Sequence, residues 1–307
     1  MSELELTLVA EGLKFPEGPI AMRDGSVILT EIEGRRVIRV APDGKIKVVA
    51  EIDGGPNGLA VGPDNALYLA NNGGALQFHV RGGVNVVGPA PREHKGGSIQ
   101  RIDPTTGVVT TLHTHCGERA LLSPNDLVFD KQGGMWFTDY GPSHSTHKMY
   151  GGLFYAAHDD SKIICARDRL LSPNGVGLSP DEKTVYVADT LTGRLWAFDV
   201  AAPGELTAQI SPMVPGRVVA TLPGLQFLDS LAVEACGTVC VATLAKGGIT
   251  AFASNGTTQH FAVPDPFVTN ICFGGDDMRD VWITASGTGR LYRTRWPRPG
   301  LKLNFNL

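Results

Sequence analysis

The sequence is poor in the features that mark proteins of membranes, nucleic acids and the secretory route. No apolar run in the 307 residues approaches the roughly 20 residues of a membrane-spanning helix. The formal net charge is −4 and no block of one sign occurs, which argues against nucleic acid or anionic membrane as a partner. The start of the chain has no secretory signal, and the five cysteines include no CxxC pair. We therefore expect free thiols and a cytoplasmic location.

Helical periodicity is lacking as well. No segment of ten or more residues repeats apolar side chains at the spacing of an α-helix. The chain instead carries 38 glycines and 20 prolines, a composition typical of β proteins with many tight turns. A hydrophobic share of 42% supports a sizeable core, and no linker-like segment interrupts the chain. One domain over residues 1–307 is expected.

What the sequence does contain is a motif that recurs six times. Each copy has a polar anchor, an apolar strand, a tight turn and a second apolar strand. The anchors are Glu17, Asn57, Asn125, Asn174, Asp229 and Asn270. Each second strand closes on a small residue, namely Thr30, Ala70, Thr138, Ala188, Thr243 and Thr284. A repeat of about 40 to 50 residues with several short strands indicates a radial array of sheets.

Further strands fit the same unit. Third strands are predicted at residues 36–40, 98–102, 152–156, 194–198, 248–252 and 290–294, and fourth strands at 45–50, 108–112 and 218–222. Six four-stranded units predict an all-β, six-bladed β-propeller. A lone strand at residues 4–10 would complete the last unit and close the ring. The tail from residue 295 is expected to cover a sheet edge, with self-association as a homo-oligomer left open.

If the units surround one axis, the anchors converge there. Glu17, Asn125, Asn174 and Asp229 then offer carboxylate and amide oxygens, the donors that suit a hard divalent cation. Ca²⁺ is the expected ion, with Mg²⁺, Mn²⁺ or Zn²⁺ as alternatives, although no histidine pair has cysteine partners at zinc spacing. Asn57 and Asn270 have a structural alternative, because an asparagine can cap a turn while the following glycine relieves a positive φ.

The geometry of a blade also predicts which loops matter. The second strand runs back antiparallel to the first, so its end returns to the face of the anchors. Glu31, Asn71, Asp139 and Asp189 are expected there as a second tier of polar groups. Two long connections, residues 71–97 and 140–151, lie on this face and are expected to bind substrate. The expected substrate contacts are Asn57, Phe78, Asn125, Tyr140, His144 and His147.

The segments FPEGP, SPND, SPNG and FLDS open corresponding strands, and with them the chain resembles the gluconolactonase/regucalcin (senescence-marker protein 30) family over about residues 11–295. The resemblance implies a propeller that binds one divalent cation in its central channel and hydrolyses sugar lactones. It also implies that Glu17, Asn174 and Asp229 hold the metal, and that Asn125 contacts metal or substrate. Animal members have an arginine where this chain has Ser123, so the resemblance carries the metal site over more firmly than the sugar preference. The expected substrate is a small lactone of the sugar type.

Opening a lactone requires attack by water on an ester. Asp229, as a base for that water, is the first candidate catalytic residue, and Asp139 is the second, because a carboxylate bound to a cation is a weak base. No GxSxG pentapeptide supports serine catalysis. The alternatives left open are an aryl-ester or organophosphate hydrolase using the same site, a strictosidine-synthase-like enzyme, and a non-catalytic binding module.

Overall fold

The fold is built from strands and turns. The computed structural model describes residues 4–159, 162–208, 211 and 214–305, and within these ranges there is no α-helix and hence none able to cross a membrane. In chain order the strands are β1 Thr7–Glu11, β2 Pro16–Ala21, β3 Val27–Glu31, β4 Arg36–Val40, β5 Ile46–Glu51, β6 Pro56–Val61, β7 Leu67–Asn71, β8 Gln77–Arg81, β9 Val84–Gly88, β10 Ser98–Ile102, β11 Val109–His113, β12 His115–Cys116, β13 Arg119–Ala120, β14 Pro124–Phe129, β15 Met135–Asp139, β16 Gly151–Ala156, β17 Ile163–Leu170, β18 Pro173–Leu178, β19 Thr184–Asp189, β20 Arg194–Ala202, β21 Glu205–Leu206, β22 Arg217–Thr221, β23 Phe227–Val233, β24 Val239–Leu244, β25 Gly248–Phe252, β26 Thr258–Ala262, β27 Val268–Gly274, β28 Asp280–Ala285 and β29 Arg290–Arg295.

Six antiparallel sheets form the blades. In chain order they are β2-β3-β4-β5, β6-β7-β10-β11, β14-β15-β16-β17, β18-β19-β20-β22, β23-β24-β25-β26 and β27-β28-β29-β1, and we number them blades 1 to 6. The first strand of each blade contacts the first strands of both neighbouring blades, from β2 through β27 and back to β2. These six inner strands therefore surround one channel. The six-bladed β-propeller predicted from the repeat is confirmed.

The ring is closed by the strand nearest the start of the chain. Strand β1 pairs antiparallel with β29, with Thr7 opposite Arg293 and Glu11 opposite Arg290. Blade 6 thus combines three strands from one end of the chain with one from the other end. The predicted closure is confirmed, with the strand beginning at Thr7 rather than at residue 4.

Every inner strand carries a β-bulge at its anchor. In blade 3, for example, the pairing passes from Pro124 opposite Asp139 to Leu127 opposite Phe137, so one extra residue lies on β14. The other five inner strands have an equivalent irregularity at the same place. A bulge redirects side chains and increases the local twist. It occurs at the anchors and therefore decides which side chains face the channel.

Neighbouring inner strands approach closely where a glycine follows the anchor. A Cβ on Gly58 would lie 2.6 Å from the carbonyl oxygen of Asn125, and one on Gly175 would lie 2.7 Å from that of Asp229. Neither glycine has a positive φ. The structural alternative, in which glycine relieves a positive φ, is therefore wrong at Gly58 and Gly175, which let adjacent blades meet. Gly18, after Glu17, does have a positive φ of 50°.

The hydrophobic core lies between blades. One buried cluster joins Trp136 and Leu153 of blade 3 to Val176, Val187 and Trp196 of blade 4. Comparable clusters join the other neighbouring blades. Burial of apolar surface between blades is the main force that holds the ring together.

The tail crosses the end of the channel opposite the anchors. It leaves blade 6 after Arg295, and the Leu301 backbone N–H donates to the Val233 carbonyl of blade 5. Farther on, Asn304 Nδ2 donates to the Phe129 carbonyl of blade 3 at 3.2 Å, and the Phe305 ring lies 6.0 Å from the Phe129 ring. The tail thus bonds the end of the inner edge strand β23, and it also closes the rear of the channel, which the sequence analysis did not anticipate.

Candidate functional site

The channel contains two cavities, one at each end. The front cavity has a volume of about 340 Å³ and is lined by five of the six anchors, Glu17, Asn57, Asn125, Asn174 and Asp229. Its other lining residues are Phe15, Ile32, Asn72, Ala75, Leu76, Val87, Gly88, Pro89, Ser123, Tyr140, Pro142, Ser143, Thr190, Leu244, Phe267 and Thr269. The sixth anchor, Asn270, lines the rear cavity instead.

Glu17 is held by its own blade and by blade 6. Its Oε2 accepts hydrogen bonds from the Gly18 backbone N–H at 2.6 Å and from Asn270 Nδ2 at 2.7 Å. Asn270 therefore positions Glu17 from behind. Burial raises the pKa of Glu17 well above its ordinary value, and the nearby Asp229 raises it further. Such a carboxylate ionises readily only if a positive charge arrives beside it.

Asp229 is the second anchor carboxylate, and it is partly accessible from the cavity. Burial raises its pKa to about 7, the Asn174 side chain opposes that rise, and the charge of Asp126 adds to it. The two carboxylates lie close enough to disfavour each other's ionisation, as the effect of Asp229 on Glu17 shows. A cation bound in this part of the channel would relieve the repulsion between the two carboxylates.

A third carboxylate, Asp126, belongs to the site although the sequence analysis did not select it. It lines the rear cavity and is buried, with its oxygens accepting from the Leu127 N–H at 2.9 Å and the Val176 N–H at 3.3 Å. Burial raises the pKa of Asp126 to about 7, and its charge raises those of Glu17 and Asp229. The sequence did hold a signal, because Asp126 occupies the place that Gly18, Gly58 and Gly175 hold in other copies.

Two amide anchors present oxygens that have no hydrogen-bond donor. Asn125 Oδ1 and Asn174 Oδ1 are buried and unpartnered, whereas Asn174 Nδ2 donates to Thr190 Oγ1 at 3.2 Å. An unpartnered buried carbonyl oxygen costs about 1–3 kcal/mol, so some partner is expected in the working protein. Both oxygens belong to residues that line the same cavity as Glu17 and Asp229.

Tyr140 lines the cavity beside these anchors. Burial raises the pKa of its phenol, the charges of Asp229 and Asp189 raise it further, and the hydroxyls of Thr190 and Ser143 lower it. The phenol therefore stays protonated at neutral pH and is available as a hydrogen-bond donor. The backbone of this segment is fixed by Lys148, whose Nζ donates to the carbonyls of Tyr140 and Gly141 at 2.6 Å each.

The expected second tier of polar groups does not face the cavity. Asp139 is fully buried, and its carboxylate accepts from the backbone N–H groups of Leu122, Ser123 and Gly141 at 2.6, 2.7 and 3.0 Å. Glu31, Asn71 and Asp189 are buried and engaged in the same way, each bonding the segment that enters its own blade. These side chains join the end of the second strand to the segment that precedes the first strand of the same blade. They therefore do not take part in the cavity that the anchors line.

Three of the expected substrate contacts also lie away from the described cavity wall. The Phe78 ring packs against the Phe15 ring at 5.0 Å, and only Phe15 reaches the cavity. His144 and His147 stack on each other at 4.7 Å in the loop after β15, and neither lines the cavity. Asn57, Asn125 and Tyr140 do line it. The loop is at the site, but it presents Tyr140, Pro142 and Ser143 rather than its histidines.

The hairpin β8–β9 lies across the mouth. It is inserted into blade 2, and the Asn85 backbone N–H donates to the Gly287 carbonyl of blade 6 at 2.7 Å. Asn85 Nδ2 donates to Glu33 Oε2 of blade 1 at 2.8 Å, and beyond the hairpin the Ala90 N–H donates to the Ser143 carbonyl at 2.7 Å. The first long connection therefore bridges four blades and roofs part of the cavity.

The donor set of the cavity is limited to oxygen. No Lys, Arg or His side chain lines the described wall, and the anchors supply two carboxylates and three amides. Within the described part of the chain no group of three or more His, Cys, Asp and Glu side chains forms a metal cluster. A site here would therefore depend on the amide oxygens as much as on the acids.

The fold and the cavity together define the class of this protein: a six-bladed β-propeller with a polar site at one end of its central channel. The chain belongs to the SMP-30/Gluconolactonase/LRE-like family, whose profile matches residues 15–287. The resemblance read from the sequence is thus confirmed.

Among curated relatives, a gluconolactonase of Zymomonas mobilis is 25% identical, with 94% of this chain and 81% of the relative covered. The lactonase drp35 of Staphylococcus saprophyticus is 27% identical, with 82% and 70% covered. Among solved structures, a Xanthomonas campestris gluconolactonase has a TM-score of 0.74 at 24% identity, with 95% and 89% covered. The calcium-binding protein regucalcin of Agrobacterium tumefaciens has a TM-score of 0.73 at 18% identity, with 98% of both chains covered. These structural similarities support the fold.

Proposed function

We propose that the protein hydrolyses a small lactone and uses a divalent cation held by Glu17, Asn125, Asn174 and Asp229. The observation that carries the proposal is the pair of buried oxygens, Asn125 Oδ1 and Asn174 Oδ1, that lack a hydrogen-bond donor in the cavity that the carboxylates of Glu17 and Asp229 also line. The reaction class comes from relatives named gluconolactonase and lactonase, which this chain matches over most of their length.

The residues fit such an ion. Carboxylates that repel each other away from bulk water are costly unless a positive charge compensates them, and among the described residues no basic side chain lines the cavity to do so. An all-oxygen donor set of mixed carboxylates and amides suits Ca²⁺, which accepts six to eight oxygens including waters. A structural neighbour described as calcium-binding supports the same choice. Mg²⁺, Mn²⁺ and Zn²⁺ remain the alternatives that a metal titration distinguishes.

When bound, the cation would polarise the lactone carbonyl. Asp229 is the anchor carboxylate partly accessible from the cavity, and we assign it the role of accepting a proton from the attacking water. Tyr140 and Asn57 line the same cavity, and we assign them the role of orienting the substrate by hydrogen bonds.

Asp139 is less suited to act as the base. Its two oxygens already accept three backbone hydrogen bonds, and it does not line the described cavity. The names of the relatives favour neither the aryl-ester or organophosphate alternative nor a non-catalytic module. The cytoplasmic location and the oligomeric state stay predictions.

The test is a pH-indicator assay over γ- and δ-lactones, run with chelator and after addition of Ca²⁺, Mn²⁺, Mg²⁺ or Zn²⁺. We expect chelation to abolish turnover and one of the four ions to restore it. Full turnover in a chelated protein that contains no metal by elemental analysis would disprove the cation-dependent mechanism. No turnover of any lactone with any of these ions would disprove the reaction class.

A further inference from the structure

The front cavity has two surfaces of opposite character. The anchors at the starts of the inner strands are all polar. The rest of the wall comes from loops and strand ends, and nine of its residues are apolar: Phe15, Ile32, Ala75, Leu76, Val87, Pro89, Pro142, Leu244 and Phe267. The apolar residues come from several blades, so they surround the space above the anchors rather than form one isolated patch.

One residue of this apolar wall, Phe15, has an unfavourable backbone conformation. Phe15 has a φ of 56°, a left-handed conformation that is unfavourable for a bulky side chain. The position is fixed because the Phe15 carbonyl accepts from the Ile32 N–H at 3.1 Å and because its ring packs on Phe78 of the hairpin. The ring is buried and still lines the cavity. Strain of this kind is characteristic of functional sites.

Several polar groups of this wall are engaged with the protein, whereas the Tyr140 phenol stays available as a donor near the anchors. Asn72 Oδ1 accepts from the backbone N–H groups of Gly74 at 2.9 Å and Ala75 at 3.1 Å, which leaves Nδ2 as one buried donor. Thr269 Oγ1 donates to the Pro16 carbonyl at 3.1 Å, and Thr190 Oγ1 accepts from Asn174. Charged side chains of the described wall are confined to Glu17 and Asp229.

This distribution discriminates between lactones. The ring hydroxyls of an aldonolactone that point away from the anchors would meet phenyl, isobutyl and isopropyl groups and lose their hydrogen bonds to water. Each unpartnered hydroxyl costs about 1–3 kcal/mol, which corresponds to roughly 5- to 150-fold in binding. An alkyl or aryl substituent in the same place gains about fourfold in binding for each methylene that is removed from water.

We propose that the substrate is a lactone whose ring carries an apolar substituent, with the ester group toward the anchors and the substituent against the apolar wall. The proposal rests on the proposed lactonase function and makes it more specific. In the reaction, water adds its oxygen to the carbonyl carbon, the ring C–O bond breaks, and the released alkoxide takes up a proton. The product is the open hydroxy acid, carrying the same alkyl or aryl group.

The first experiment compares δ-lactones that share one ring. Glucono-δ-lactone, unsubstituted δ-valerolactone and a series of δ-alkyl lactones of increasing chain length are assayed with the restoring cation. We expect kcat/KM to rise about fourfold per added methylene over the first few carbons, and glucono-δ-lactone to be the poorest substrate. A higher kcat/KM for glucono-δ-lactone than for every alkyl lactone overturns the proposal and leaves the lactonase function intact. If no lactone of the series is opened, the lactonase function fails and the proposal with it.

The second experiment tests the wall with two matched variants of one hairpin. Val87 lines the cavity and is 40% exposed, whereas Val80 is 74% exposed and lies outside the described wall. We expect Val87→Ser to lower kcat/KM for the longer alkyl lactones about fivefold and to leave δ-valerolactone unchanged. Val80→Ser is expected to change neither. An equal effect of Val87→Ser on all substrates, or the same effect from Val80→Ser, would show that the wall does not select the substituent.

Discussion

The two ends of the channel use the same six inner strands for opposite purposes. The front end presents five polar anchors around a cavity of about 340 Å³. The rear end encloses a cavity of about 110 Å³, lined mainly by aliphatic and aromatic side chains from the later part of the same strands and closed by Leu301, Leu303 and Phe305 of the tail. The front end therefore has polar anchors beneath an apolar wall, and the rear end is mainly apolar and is covered by the tail.

The boundary between these ends lies at the bulges. At the bulge, five of the six anchors face the front cavity, and after it each strand resumes regular pairing and contributes apolar side chains to the rear. Asp126 is an acid on the rear side of that boundary, where its neighbours are Leu127, Val128 and Phe129. The difference between the ends shows what one extra residue per strand achieves. It separates the polar anchors of the front cavity from the apolar residues that pack at the rear. The predictions below test that separation.

The largest effect is expected from Asp229→Asn. Removing the anchor that is partly accessible from the cavity should lower kcat about 10²- to 10⁴-fold and weaken cation binding, because the amide accepts no proton and carries no charge. Lactone assays and calorimetric titration with Ca²⁺ measure the two effects. Asp43→Asn, at an exposed turn, is the control and should match the unchanged protein. Wild-type turnover by the Asp229 variant would remove this residue from the mechanism.

Asp139→Ala should affect stability rather than chemistry. The substitution leaves the backbone N–H groups of Leu122, Ser123 and Gly141 without an acceptor, so the free energy of unfolding should fall by about 3 kcal/mol or more. Urea unfolding measures this loss, and cation affinity of the folded variant should stay within about threefold. A variant of normal stability that has lost activity would instead restore Asp139 as a catalytic candidate.

The cation-free protein should lose stability as the pH rises from about 4 to about 7. Burial raises the pKa values of Asp126 and Asp229 to about 7 and raises that of Glu17, so the folded state holds protons that the unfolded chain has already released. The stabilising protonated forms are fully present below about 4 and are lost by about 7. Adding Ca²⁺ should reverse the trend, because a bound ion favours the charged forms. Urea unfolding across this pH range, with chelator and with Ca²⁺, measures both trends. Asp126→Asn should make the free energy of unfolding depend less steeply on pH. A flat profile with chelator would contradict the buried acids' role.

The smallest effect is expected at the rear. Phe305 is partly buried against Phe129, so Phe305→Ala should lower the free energy of unfolding by about 1–2 kcal/mol and leave lactone turnover unchanged. Lys302→Ala, on an exposed position of the same tail, serves as the control. A loss of turnover in the Phe305 variant without a loss of stability would mean that the two ends are coupled.

The sequence predicted the blades because each anchor, turn and strand recurs at a regular interval. Strands such as Arg36–Val40 and Ser98–Ile102 occur where the repeat predicts them. The orientation of side chains was harder to predict. Asp139 and Asn125 are both polar residues at strand ends on the same face, and only the hydrogen bonds of the folded chain show that the first fastens backbone and the second faces the cavity. The path of the tail has no periodic signal, since it packs without forming a strand.

The pairing of β1 with β29 also has a consequence for how the molecule is made. During synthesis the edge of β1 stays unpaired until β29 has been translated, because the two strands are far apart along the chain. Premature association with another nascent copy is the hazard of that delay. Glu11 places a charge at one end of β1, and a charged side chain on a sheet edge disfavours pairing with another chain.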